Sequence, residues 1–405
     1  MDRIVIVGGG QAAGQAAASL RQEGFEGELV LFCDESRLPY QRPPLSKQYL
    51  SGEIGVERVQ LRPEKFYADN NVTLRLGERV VGIEPDKHTI ELEGGVRESY
   101  DKLILATGSR VRRLDQLPGA TQGGIHYLRT VDDADGIRTA LETAKRVVVV
   151  GGGYIGLEVA SVAVTAGASV VVLEAESRLL ARVATEQLAS FYTRVHREHG
   201  VDIRTNAMAT NFAGDGQVRG VVLSDGTEHE ADMVVVGVGI VPNIELAEGA
   251  GIACDNGITV DEYCRTSAAD VLAAGDCTSH PSALLGRNIR LESVPNAMEQ
   301  ARVAAAAVCG TLKPYTAEPW FWSDQYDLKL QMAGFADGAD EHVTRGDPDS
   351  GAFITFHLRA GVVVGADAVN SVREFLACRK LVATGATPDL AKLADTGIPV
   401  KELVG

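Results

Sequence analysis

The chain has 405 residues, with Lys+Arg 39 against Asp+Glu 55 and a formal net charge of −16. At roughly 100–200 residues per domain this length predicts two to four domains, and a composition 45% hydrophobic and 23% charged excludes a disordered chain. The acidic balance excludes a general nucleic-acid binder, which needs a basic footprint, and without an apolar run of ~20 residues no membrane-spanning helix is expected.

The opening MDRIVIVGGG enters a strand at once, so no signal peptide is expected and the expected location is cytoplasmic. The cysteines at 33, 254, 264, 277, 309 and 378 contain no CxxC pair. That spacing argues against a disulfide framework or a zinc site and for a reducing compartment.

The first internal repeat organises the chain. Ile4-Val5-Ile6-Val7-Gly8-Gly9-Gly10 returns as Val147-Val148-Val149-Val150-Gly151-Gly152-Gly153. Each copy is followed by a helical stretch (12–22 and 155–166), a second strand (29–32 and 169–173) and then an acid, Asp34 and Glu174. This is the dinucleotide-binding strand–turn–helix–strand pattern, twice. Gly8 and Gly151 permit the tight turn, and Gly10 and Gly153 let backbone approach a pyrophosphate. The third position, Ala13 or Gly156, allows close helix–strand packing. Unpaired N–H groups at each helix start, near Ile155 in the second copy, face the phosphates.

Two such units suggest a flavin and a nicotinamide cofactor. A buried strand predicted over 103–105 ends in Ala106-Thr107-Gly108, and another over 271–274 ends in Gly275-Asp276. Asp276 there suits a ribityl hydroxyl, with a helix-capping role as the alternative. Pro295 opens an alanine-rich helix over 296–309, whose positive end suits negative charge. The strand 234–236 and Gly239 close the second unit, and Pro242-Asn243 turns back to the first. The expected domains are therefore 1–112 with 242–319, 113–241, and 320–405. The expected fold class is α/β: two Rossmann-like domains, in an arrangement that resembles glutathione reductase, plus a C-terminal α+β domain.

At this point a resemblance becomes specific. Pro39-Tyr40-Gln41-Arg42-Pro43-Pro44-Leu45-Ser46-Lys47, Arg290-Leu291-Glu292-Ser293-Val294 and Pro319-Trp320-Phe321-Trp322-Ser323-Asp324-Gln325-Tyr326 resemble the oxygenase-coupled ferredoxin reductases of the putidaredoxin reductase type, from end to end. The resemblance implies FAD held by Gly8, Gly10, Ala13, Asp34 (with Glu35 as competitor for the ribose), Arg42, Lys47, Ala106, Gly275, Asp276 and Val294. It implies NADH held by Gly151, Gly153, Ile155, Gly156, Glu174 and Gly239. A contact between Lys47 and Glu158 beside the flavin is also implied, with both as catalytic residues; one carries a loop-lysine alternative and the other a helix-dipole alternative. Pro295 departs from the glutamine of many relatives.

Glu174 favours the 2′-hydroxyl of NADH over the 2′-phosphate of NADPH, although Arg178 and Arg182 stand near. The implied reaction moves hydride from NADH to FAD and then single electrons to a [2Fe–2S] ferredoxin that serves a P450 or a ring-hydroxylating dioxygenase. A monomer or weak dimer is expected, with no nucleic-acid or membrane partner. Such ferredoxins are usually acidic. Docking is expected on the basic residues of 285–313 (Arg287, Arg290, Arg302, Lys313) and 37–65 (Arg37, Arg42, Lys47, Arg58, Arg62, Lys65), joined by Arg373, Arg379 and Lys380. Competing readings are an NADH oxidase, a rubredoxin or quinone reductase, and a redox sensor like the apoptosis-inducing flavoprotein. His196 and His199 have helical spacing without a third metal ligand and read as surface residues. Trp320 and Trp322 read as core, as flavin neighbours or as lying towards the partner, and Cys33 as a buried small residue.

Overall fold

The computed structural model describes residues 3–404. The chain divides into two compact units, Met1–Arg42 with Glu57–Arg110 and Val241–Pro319, and Pro43–Val56 with Val111–Ile240 and Trp320–Gly405. The stretch 43–56, which carries Lys47, thus packs with the second nucleotide part and the C-terminal module.

The first unit is built on a five-stranded parallel sheet in the spatial order Val271–Ala273, Lys102–Leu105, Arg3–Val7, Glu28–Cys33, Val72–Leu76. Side chains alternate across a strand. Ile4 and Ile6 therefore face the helices Gln11–Gln22 and Val294–Val308, while Val5 and Val7 pack with the hairpin strands Val80–Glu84 and Thr89–Leu92. Burial on both faces is why this strand is a continuous apolar run rather than an alternating one.

The second unit repeats the plan. Its parallel sheet runs Asp202–Arg204, Ser169–Leu173, Arg146–Val150, Met233–Val236, Ile125–Tyr127. Val147 and Val149 enter one layer, with the helices Tyr154–Thr165 and Glu186–Glu198. Val148 and Val150 enter the other, with the antiparallel strands Ala209–Gly214 and Val218–Leu223.

The C-terminal module of this unit is a five-stranded antiparallel sheet, ordered Trp320–Gln325, Leu328–Gly334, Val362–Val369, Ala352–Arg359, Glu341–Asp347. One face packs on the helix Val372–Thr384 through Phe375, Cys378 and Leu381. The other presents Leu328, Leu330, Phe353 and Val369 to Phe191, Tyr192 and Val195 of the helix Glu186–Glu198.

That second packing corrects one expectation. His196 lies on the same helix face and is fully buried, not on the surface, whereas His199 is exposed. The signal was present in the sequence: His196 stands four residues after Tyr192, on the apolar stripe of a helix. All six cysteines are free. Among the described residues no helix is long and apolar enough to cross a membrane, and no group of His, Cys, Asp and Glu could hold a metal ion.

Candidate functional site

The two glycine turns have the same local build. Gly8 has φ +133 and Gly151 φ +109, a region that favours glycine. A Cβ on Gly8 would lie 2.1 Å from the Ala106 carbonyl oxygen, and one on Gly151 2.4 Å from that of Gly237. Gly156 is closed for a similar reason, 2.2 Å from the Gly151 carbonyl oxygen, while the first copy accommodates the methyl of Ala13, fully buried. Gly10 and Gly153 behave differently. An added Cβ would meet nothing within 4 Å at either, so no protein atom demands glycine there. Both are helix N-caps without a side-chain cap, whereas the helices at 131, 186 and 294 are capped by Thr130, Thr185 and Ser293. Open space before bare N–H groups fits a pyrophosphate, so both turns suit the dinucleotides that the sequence pattern implies.

The acids after the second strands are not equivalent. Gly8 N–H donates to the Phe32 carbonyl and Gly151 N–H to that of Leu173, each at 2.8 Å. The next residues are Cys33 and Glu174, so Cys33 occupies the place of Glu174 and Asp34 stands one residue later, exposed. The Glu174 carboxylate accepts from the N–H of Gly152 at 2.7 Å and of Glu176 at 2.8 Å. Cys33 instead packs its sulfur against Gly9, and burial pushes its thiol up to about 11, as a buried, unreactive side chain should be.

In the first unit, Arg42 gathers the polar groups. Its Nη2 lies 2.8 Å from Glu35 Oε1 and its Nη1 donates to the Tyr40 hydroxyl at 3.1 Å, which donates in turn to Glu35 Oε2 at 2.5 Å. Burial works against the Arg42 charge, but Tyr40, Glu35 and Asp276 outweigh it and raise its pKa. Asp276 is no helix cap: its carboxylate accepts from the Ser109 hydroxyl at 2.9 Å, beyond the end of the strand Val271–Ala273. Gln300, fully buried on the helix Val294–Val308, accepts from Gly275 N–H and the Thr278 hydroxyl, each at 2.8 Å. That helix begins at Val294. Glu35, a competitor by sequence, is therefore committed to Arg42 and Tyr40, and Asp34 is left open to solvent.

In the second unit, Lys47 Nζ lies 2.7 Å from Glu158 Oε2, with the lysine side chain 10% and the glutamate 1% exposed. Neither is a solvated surface group. The Ser46 hydroxyl donates to the same Oε2 at 2.5 Å, and the Ser323 hydroxyl to Oε1 at 2.5 Å. Sequence reading quoted both serines within the motifs at 39–47 and 319–326 but gave neither a role, since a serine in a loop or strand does not by itself announce its partner. Three donors on two oxygens satisfy a carboxylate that would be costly to bury alone. Ile155, at the start of the same helix, is 44% exposed, and Gly239 has φ +102. Arg178 is occupied: it donates to the carbonyls of Ala184 and Ala181, each at 2.9 Å. Trp320 is half-buried, against Trp322, Phe375 and the Arg379 guanidinium.

The matches to known proteins agree with this build. Residues 2–301 match the pyridine nucleotide-disulphide oxidoreductase family and residues 320–404 the reductase C-terminal family. The chain is 46% identical over 402 residues to the 5,5'-dehydrodivanillate O-demethylase ferredoxin reductase subunit of Sphingobium sp. SYK-6, covering 98% of this chain and 97% of that one. It is 41% identical to putidaredoxin reductase of Pseudomonas putida over 408 residues, covering 100% and 97%. Among solved structures, the ferredoxin reductase for the CYP199A2 system from Rhodopseudomonas palustris superposes with TM-score 0.97 at 40% identity, covering 100% of each chain. Fold, turns and relatives together make this chain a member of the pyridine nucleotide-disulphide oxidoreductase family, a flavoprotein that passes electrons from a pyridine nucleotide to a ferredoxin.

Proposed function

We propose that the nucleotide is NADH, that the acceptor is a [2Fe–2S] ferredoxin, and that this ferredoxin serves a P450 or a ring-hydroxylating dioxygenase. The observation that carries the nucleotide choice is Glu174, whose carboxylate is fixed at the strand end by two backbone N–H groups. A charge held there accepts from a 2′-hydroxyl and repels a 2′-phosphate. Arg178, the cation nearest by sequence to Glu174, spends its donors on carbonyls.

In this reading the first unit holds FAD through Gly8, Gly10, Ala13, Arg42, Ala106, Gly275, Asp276 and Val294, with Asp34 on the ribose. The second holds NADH through Gly151, Gly153, Ile155, Gly156, Glu174 and Gly239. The FAD, when bound, supplies conversion of a two-electron donor to one-electron delivery. The chain supplies orientation and charge: Lys47 and Glu158 form a fixed, buried ion pair that serves hydride delivery. No acid, base or nucleophile on the chain is required.

The ferredoxin reading rests on relatives named for oxygenase and demethylase systems. A relative from Pseudomonas putida named rubredoxin-NAD(+) reductase is 42% identical over 332 residues, which keeps rubredoxin as the second acceptor to assay. Docking on basic side chains must use fewer of them than the sequence offers, because Arg42 and Lys47 are paired inward. The test is anaerobic NADH oxidation by the purified holoprotein. Rapid bleaching of the flavin, with turnover only when a [2Fe–2S] ferredoxin is added, supports the proposal; turnover with rubredoxin alone overturns the acceptor.

A further inference from the structure

Behind Glu158 lies a run of polar groups that the hydride reading does not use. Gln325 Nε2 donates to the Ser323 hydroxyl at 3.2 Å, His196 Nε2 lies 2.8 Å from Gln325 Oε1, and the Tyr326 hydroxyl lies 2.9 Å from His196 Nδ1. The donors can be assigned along the whole run. Ser323 gives its one hydrogen to Glu158, so it accepts from the amide of Gln325. The amide oxygen then faces His196, which places a hydrogen on Nε2. A neutral imidazole leaves Nδ1 as acceptor, so Tyr326 donates. Each of four groups donates in one direction, towards Glu158.

Three elements carry this run: the helix Tyr154–Thr165, the strand Trp320–Gln325 with its turn, and the helix Glu186–Glu198. Ser323, Gln325 and His196 are each at most 1% exposed, and burying that many polar groups is costly unless each is satisfied. Tyr326 has φ +56, a strained conformation for an aromatic residue. It is held there from two sides, by the bond to His196 and by His199 stacked at 3.7 Å. Burial keeps His196 neutral, its pKa lowered to about 4, which preserves the tautomer. An amide in mid-chain is a poor proton conductor, so the run orients and does not conduct.

We propose that Ser323 is a positioning residue for the hydride step: it holds Glu158 so that the other carboxylate oxygen stays on Lys47, and Gln325, His196 and Tyr326 fix the direction in which its hydroxyl points. This rests on the reading that the Lys47–Glu158 pair serves hydride delivery. The two can fail separately.

The experiment uses the holoprotein and its Ser323→Ala, Ser323→Cys, Ser323→Thr and Glu158→Gln variants. Anaerobic stopped flow gives the limiting rate of flavin reduction and its half-saturation by NADH. Dye equilibration gives the flavin midpoint potential, which a purely structural serine would leave alone. Ser323→Ala is expected to lower the limiting rate about tenfold or more, the scale of a hydrogen bond to a charged group. Half-saturation should stay near native, and the potential should move in the same direction as in Glu158→Gln. Ser323→Thr should restore both. Ser323→Cys, a weaker donor of similar size, should fall between, and it keeps the test open if the alanine variant does not fold. A native rate and potential in Ser323→Ala or Ser323→Cys, with Glu158→Gln slow, overturns the role of Ser323 alone. A native rate in Glu158→Gln overturns the ion-pair reading and this proposal with it.

Discussion

Lys47 Nζ and Glu158 Oε2 stand 2.7 Å apart across 111 residues of sequence, on a carboxylate that is 1% exposed. Removing one partner of a buried pair leaves the other charge uncompensated, at a cost of about 3–5 kcal/mol. Lys47→Met should therefore lower the thermal midpoint of the holoprotein by several degrees and slow NADH-driven flavin reduction. Calorimetry and anaerobic stopped flow measure the two effects independently. A stable variant with native reduction kinetics would refute both roles.

The two kinds of glycine in the second turn should separate. Gly151→Ala drives a methyl into the Gly237 carbonyl oxygen and is expected to destabilise the protein. Gly153→Ala has φ −80 and meets no protein atom, so the variant should fold with native stability and bind FAD. Its affinity for NADH should still fall about tenfold or more, because the methyl occupies the space that a pyrophosphate needs. Equal NADH affinity in Gly153→Ala and native protein would remove that turn from the nucleotide site.

Glu174→Ala removes the carboxylate that accepts from Gly152 and Glu176. Apparent affinity for NADH should fall about tenfold and the preference over NADPH should narrow, since a charged hydrogen bond is worth about 1.5–3 kcal/mol. The ratio of kcat/KM for the two nucleotides is the measurement. An unchanged ratio would place specificity elsewhere.

Acid stability carries a sign that can be worked out. Burial lowers His196 and His280 from 6.5 to about 4. The unfolded chain therefore takes up these protons first, and stability is lost as pH falls from about 6.5 towards 4. Each histidine contributes up to roughly 3 kcal/mol of that loss. His280→Gln should flatten the slope in this window, read from urea unfolding at successive pH values. A slope equal to native would show that His280 titrates alike in both states.

Docking on basic side chains predicts that ferredoxin-dependent turnover falls roughly tenfold as ionic strength rises from ~0.02 to ~0.5 M. NADH-driven flavin reduction, which needs no protein partner, should change little over the same range. Salt-independent turnover would exclude electrostatic docking.

The amino-acid sequence determined the repeat, both glycine turns, Glu174 and the apolar strands, because each is a local relationship. A turn needs its glycine within a few residues, and a strand buried on both faces shows as an unbroken run such as Val147–Val150. The tertiary structure alone decided the register of the acids, giving Cys33 rather than Asp34 the position in the first copy that Glu174 holds in the second, since one residue of strand length changes which side chain meets the turn. It alone brought Ser46 and Ser323 to Glu158 from 112 and 165 residues away. Hydrogen-bond partners at that separation leave no periodicity to read. They follow only from how the C-terminal sheet, for Ser323, and the stretch 43–56, for Ser46, pack on the helix Tyr154–Thr165 of the second nucleotide fold.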